Sequence, residues 1–353
     1  MGGVAPIGTL ADCREDDVVV GATGQGGQVV RIGVTGAGGF VGTALIHRLV
    51  AKDIGCGFAN PTIVAIDAML PADLPTTVER AEGDLCDPSF RQQLFAEPFD
   101  VLFHLAAVPG GAAERDYSAG WNLNVEAAVA MLELLAQQKT PARLVFASSI
   151  GVFGVPLPKT SVDDETLPLP SMSYGTQKLI LEALIADYAR RKLVDGIAVR
   201  LPGILARPRV KGGHLSAYMS DILHSLRAGE SFTCPVSEDS SSWFMSRYRC
   251  VENLVHAAAL PSFSLGPRRA FNLPALRLTM TELVDGAAVH FGSRVRSLVS
   301  YEPDAALQAQ FGSYPPLVTA IADRLGFKHD GSAAVLVAEA LGLDPVEIGV
   351  GAA

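Results

Sequence analysis

The stretch Thr35-Gly36-Ala37-Gly38-Gly39-Phe40-Val41-Gly42 decides how this chain folds. It follows the apolar run VVRIGV (29–34) and leads into FVGTALIHRLVAKD (40–53), which reads as an amphipathic helix. A buried strand, a glycine turn and a helix, in that order, open a doubly wound α/β sheet. Gly36 permits the tight turn, Gly39 lets the backbone approach a pyrophosphate, and Gly42 lets helix and strand pack closely. The amides of Phe40 and Val41 then stand at a helix N-terminus, where orphan N–H donors and the helix dipole favour phosphate. Glycines also mark plain turns, so the pattern gains its meaning from the strand–turn–helix context and from Asp67.

Asp67 ends the second strand run, TIVAID (62–67). A carboxylate there accepts hydrogen bonds from both adenosine ribose hydroxyls and repels a 2′-phosphate. The next cation along the chain is Arg80, so NAD is expected in preference to NADP. The competing reading is a strand-end Asp that caps a turn. Asp84 and Leu85, after a third strand in VERAEGDL (78–85), suit the adenine end, although Asp84 also reads as a turn residue.

Outward from this unit, VLFHLAA (101–107), RLVFASS (143–149) and GIAVRLPGI (196–204) are further apolar strands, with helices over 122–139 and about 173–192 between them. Continuous apolar strands alternating with helices predict a parallel sheet covered on both faces, a Rossmann-type architecture with ligands at the carboxyl ends of its strands. Residues 30–204 form this dinucleotide-binding domain, and 245–275 return to it. Segments 205–244 and 276–353 are expected to build a smaller C-terminal substrate lobe, and 1–29 a peripheral, flexible extension.

Of the 353 residues, 49% are hydrophobic and 18% charged, which suits a well-buried enzyme. The formal net charge is -9 and no basic run occurs, which argues against a nucleic-acid partner. No continuous apolar stretch of about 18 residues is present, so no membrane span is expected. The five cysteines are scattered, without zinc-site or redox-dithiol spacing, so neither a metal nor a disulfide framework is expected and the cytoplasm is the natural home.

Tyr174-Gly175-Thr176-Gln177-Lys178 puts a phenol and an ammonium four residues apart, on one face of a helix. An unperturbed Tyr titrates near pH ~10, too high for a base at neutral pH. The Lys cation and an oxidised nicotinamide both favour the phenolate and are expected to lower that pKa. Ser148 and Ser149 end the fifth strand, on the rim where a nicotinamide belongs, and a hydroxyl there can hydrogen-bond the substrate oxygen.

With TGAGGFVG, the Asp67 strand end, HLAA (104–107), Asn124 in NLNVEAA, the Ser148-Ser149 pair and YGTQK in order, the chain resembles the extended short-chain dehydrogenase/reductases over nearly all of 31–345. This is the NAD-dependent epimerase/dehydratase family. The resemblance implies Tyr174 as acid/base with Lys178 beside it, both also touching the cofactor. It implies Ser149 as the substrate-polarising hydroxyl, with Ser148 nearer the cofactor. Leu105, Ala106 and Ala107 become a nicotinamide wall, Asn124 a structural residue beside it, and Pro202 and Ile204 flank the nicotinamide amide. It further implies a homodimer through the 117–139 helix and the helix carrying Tyr174.

SYGTQK, VDGIAVRLPGI (194–204), CPV (234–236), VENLVHAA (251–258) and FNLPAL (271–276) resemble a narrower group of dehydrogenases acting on four-carbon sugar acids. Val108–Gly111 and the loop from Arg207 to His214 depart from that group, and both should border the substrate. Arg207, Arg209, Lys211 and Arg247 are candidates to grip a carboxylate, with Arg207 and Arg247 foremost. His214 and Trp243 could line the pocket or simply pack. The alternatives are a nucleotide-sugar epimerase or dehydratase that retains its cofactor, a dehydrogenase for a larger uncharged alcohol, and a non-catalytic dinucleotide sensor, which the Tyr/Lys pair disfavours.

Overall fold

The structure, a computed structural model, describes residues 30–51, 61–209 and 215–343. The expected extension over 1–29 and the candidates Lys211 and His214 lie outside those residues. From its start, β1 (Arg31–Thr35) turns into α1 (Phe40–Val50), followed by β2 (Thr62–Asp67), β3 (Glu79–Glu82), α2 (Pro88–Leu94) and β4 (Val101–His104). Then come α3 (Gly110–Arg115), α4 (Tyr117–Trp121), a π-helical turn (Asn122–Ala127), α5 (Ala128–Ala136), β5 (Arg143–Ser149), α6 (Ser173–Arg190) and β6 (Asp195–Leu201). β7 (Gly203–Ile204), α7 (Tyr218–Ala228), β8 (Phe232–Cys234), β9 (Ser241–Met245) and α8 (Arg247–Ala259) lead to β10 (Ala270–Asn272) and β11 (Leu276–Thr279). The rest comprises α9 (Met280–Phe291), β12 (Val299–Tyr301), α10 (Ala305–Phe311), α11 (Ala320–Arg324) and α12 (Ala333–Leu341).

Among the described residues the main sheet has seven strands in the order β10-β6-β5-β4-β1-β2-β3, and every pairing in it is parallel. The chain winds outward from β1 through β2 to β3, then crosses back to β4 and winds the other way. That reversal opens a crevice at the carboxyl ends of β1 and β4, where such sheets bind ligands. Alternate residues of the apolar strands fill alternate layers. Val101 and Phe103 pack with Leu45 and Ile46 of α1, while Leu102 packs with Leu132 and Leu135 of α5 on the opposite face. The doubly wound parallel sheet is therefore as the sequence predicts, and its core runs through both faces.

Past β6 the chain builds a second layer of structure. β9 lies between β7 and β11 in a small sheet, and β8 pairs with β12. Ile222 and Leu223 of α7 pack with Leu283 of α9 and Leu336 of α12 in a separate core. α8 instead sends Val251 and Leu254 into the main core, and β10 extends the main sheet beside β6. Residues 122–139 do not form one uninterrupted α-helix. A π turn precedes α5, and within it the Asn124 carboxamide binds the backbone of Val108. Among the described residues no helix is long and apolar enough to cross a membrane.

Candidate active site

At the crevice, Gly36 has φ 72°, and a Cβ there would lie 2.7 Å from the Ala106 nitrogen, so only glycine lets the loop touch the end of β4. A Cβ on Gly42 would stand 2.0 Å from the Gly36 carbonyl oxygen, which explains why α1 can start so close beneath the loop. Gly39 caps α1 without a side chain, no acid sits in the first turn, and Gly38, Gly39 and Phe40 face a cavity of about 550 Å³. This open, uncapped helix start fits a diphosphate.

Asp67 accepts the Gly38 amide at 2.9 Å through Oδ2, which fixes its carboxylate beside the loop. The Arg80 guanidinium is spent on the carbonyls of Leu70 (3.0 Å) and Pro71 (2.9 Å) and on Glu82 (2.7 Å). Glu82 itself pairs with Asp67 in register across β2 and β3. Among the described residues, a 2′-phosphate would meet the carboxylates of Asp67 and Glu82 here, with Arg80 already engaged. NAD is expected to exceed NADP in kcat/KM by about tenfold or more, and Asp67→Ala to narrow that gap in paired steady-state assays. Asp84 follows β3 as an exposed turn residue. It accepts the Cys86 amide at 2.8 Å, and Leu85 is buried in the core.

The segment after β4 is pinned from both sides. Leu105 donates its amide to the Thr35 carbonyl and Ala106 to the Thr35 hydroxyl. Asn124 accepts the Val108 amide at 2.8 Å and donates to the Val108 carbonyl at 3.0 Å and to Gln177 Oε1 at 2.7 Å. Thr35 Oγ1 lies 2.7 Å from His104 Nδ1, and burial with the Lys178 charge pushes His104 down to about 3. His104 is thus a neutral packing residue, stacked on Phe146.

Tyr174 and Lys178 stand one turn apart near the N-terminus of α6. The Ser149 hydroxyl accepts the Gly151 amide at 3.0 Å and stands on the Tyr174 side of the cavity, where it favours the ionised phenol. Lys178 Nζ lies over the Phe146 ring, 4.5 Å from its centroid, and 5.5 Å from that of Tyr174. Burial pushes Lys178 down to about 7, against the opposing charge of Glu182. Burial raises the Tyr174 phenol, with Arg207 and Ser149 opposing it; the lowering expected from an oxidised nicotinamide belongs to the cofactor-bound enzyme. Desolvation of the anion outweighs the cations at hand in this structure.

Ser148 and Ser149 point to different places. Ser148 is 1% exposed and donates to Glu182 at 2.5 Å, so its hydroxyl faces a buried network and not the crevice. Arg200 completes that network, donating to both Glu182 oxygens at 2.9 and 2.8 Å. The sequence reading passed over Glu182 and Arg200. Their signals were present: an acid one turn beyond Lys178, and an arginine inside the apolar strand GIAVRLPGI.

Ser149, Tyr174, Pro202 and Arg207 line a second cavity of about 190 Å³, and Arg207 also lines the first with Ile204. Ala206, just before Arg207, has φ 57°, a left-handed backbone costing on the order of 1–3 kcal/mol for a non-glycine residue. Arg209 is occupied by Ser225 (2.6 Å), Glu230 (3.5 Å) and Asp221 (4.0 Å). Arg247 lines the larger cavity, its guanidinium 4.8 Å from the Phe40 ring centroid. Trp243 is fully buried and donates to the Pro315 carbonyl at 2.7 Å, so it packs, and Tyr314 beside it lines the smaller cavity.

The family described as NAD dependent epimerase/dehydratase matches residues 32–244. D-erythronate dehydrogenase of Cupriavidus necator is 34% identical over 305 residues, covering 85% of this chain and 94% of that protein. D-erythronate dehydrogenase of Haemophilus influenzae is 33% identical, covering 86% and 96%. A structure titled as the nucleoside-diphosphate-sugar epimerase from Agrobacterium tumefaciens is 31% identical with a TM-score of 0.82, covering 90% of this chain and 96% of that one. The uncapped helix start and the Asp67 carboxylate fit the cofactor that this family uses, which is NAD. A family match over most of the central sheet, joined to such identity along nearly the whole length, means that the chain belongs to the NAD dependent epimerase/dehydratase family of enzymes.

Proposed function

We propose that the protein is a dehydrogenase that oxidises a hydroxyl of a small sugar acid, D-erythronate or a related aldonate, to the ketone. The observation that carries this is the convergence of Tyr174, Ser149 and Arg207 on one small cavity beside the cofactor crevice. The two D-erythronate dehydrogenases that the chain resembles support the substrate class. When bound, NAD would supply the acceptor for the hydride that leaves the carbinol carbon. Ser149 hydrogen-bonds the substrate oxygen, and Tyr174 takes its proton. Lys178 would hold the nicotinamide ribose, and Leu105, Ala106, Ala107, Pro202 and Ile204 would wall the nicotinamide. Arg207, which has no carboxylate partner among the described residues, binds the substrate carboxylate through its planar fork. We place the enzyme in the cytoplasm as a homodimer, joined through α5 and α6 with the exposed Tyr117 near the seam.

A panel of aldonates with NAD, each paired with its uncharged amide or alcohol, tests this by NADH absorbance. The acids should turn over with kcat/KM about tenfold or more above the neutral analogues. Equal turnover would remove the sugar-acid assignment and leave the dehydrogenase. The name of the Agrobacterium structure makes nucleotide-sugar epimerisation the second reading. It requires UDP-sugars to isomerise without net NADH.

A further inference from the structure

We propose that Arg247, from the N-terminus of α8, holds the cofactor diphosphate against the glycine loop, so that the cofactor is gripped from both sides of the crevice. The inference rests on the NAD site and is independent of the substrate proposed above. It also moves Arg247 from the substrate role suggested by sequence to the cofactor.

Four observations carry it. The Arg247 guanidinium sits 4.8 Å from the ring centroid of Phe40, the first residue of α1. Gly38, Gly39, Phe40 and Arg247 line the same cavity, whereas Tyr174 and Ser149 line the neighbouring one with Arg207. Arg247 is half-buried, and burial lowers its affinity for a proton, yet it has no carboxylate partner among the described residues. Asp221, an acid on the same wall, faces Arg209. A partly desolvated guanidinium with no counter-ion, opposite an uncapped helix start, is complementary to a doubly charged group between them.

The backbone that carries Arg247 is firmly held. Ser246, fully buried, donates its amide to Asp330 at 3.1 Å and its hydroxyl to Glu339 at 3.0 Å, and accepts the Arg249 amide at 3.0 Å. The arginine therefore projects from an anchored helix start, and its grip does not depend on ordering a loop.

Calorimetric titration of the full-length protein with ADP-ribose and with adenosine separates the roles. ADP-ribose carries the diphosphate, and adenosine has only the part recognised by Asp67. Arg247→Met should weaken ADP-ribose about tenfold or more and leave adenosine unchanged, while Arg247→Lys, keeping the charge, should lose less. The wild-type affinity for ADP-ribose should also fall more steeply with salt than that of Arg247→Met. Unchanged ADP-ribose binding in Arg247→Met overturns the proposal, and a rise in aldonate KM alongside it returns Arg247 to the substrate. Equal weakening of both ligands also overturns it, since a general loss of the loop would then be the cause.

Discussion

Tyr174→Phe is expected to lower kcat for NAD reduction by about 10²–10⁴-fold, the usual worth of a positioned acid/base group. The change removes one oxygen and little volume. The ring remains packed on the N-terminal turn of α6, and the cradle at Gly39 and Asp67 is untouched, so NAD should still bind. Lys178→Met should behave differently, because Lys178 is assigned to the nicotinamide ribose and its loss should weaken NAD as well as slow turnover. Fluorescence titration with NAD, run beside the kinetics, separates the two variants. Retention of a tenth of wild-type kcat by Tyr174→Phe would mean that another group takes the proton. The pH profile carries a sign of its own. Burial raises the phenol and oxidation needs the phenolate, so kcat/KM should rise with pH through neutrality.

Arg207→Met is expected to weaken binding of the acid substrate by about 1.5–3 kcal/mol, the range for hydrogen bonds to charged groups, and to leave a neutral analogue nearly unaffected. It should also displace the rising limb of the pH profile to higher pH. Arg207 is the main influence opposing the burial of Tyr174, so removing its charge makes the phenolate harder to form. A carboxylate clamp remote from the base would change KM and leave that limb in place. Observing both shifts together would tie one guanidinium to substrate affinity and to proton transfer. An unchanged KM for the acid would remove Arg207 from the clamp.

Features that depend on local pattern are legible in the amino-acid sequence. Continuous apolar runs such as TIVAID and RLVFASS required a sheet buried on both faces, and the 35–42 glycines required a turn against a helix start. The four-residue spacing of Tyr174 and Lys178 put both on one helical face, because helical periodicity needs no knowledge of distant chain. Which of two adjacent serines faces the crevice was not a local matter. Ser148 is drawn to Glu182, 34 residues away, and Ser149 to the Tyr174 phenol. The arginines show the same limit. Arg209 meets acids on and just beyond α7, Arg247 reaches Phe40 far up the chain, and Arg207 is left without a counter-ion among the described residues. One loop and one helix end hold the same residue type in three electrostatic settings that only long-range packing distinguishes. The proton affinity of Tyr174 follows the same rule. Its direction follows from how fully the fold buries the phenol, which local pattern does not fix.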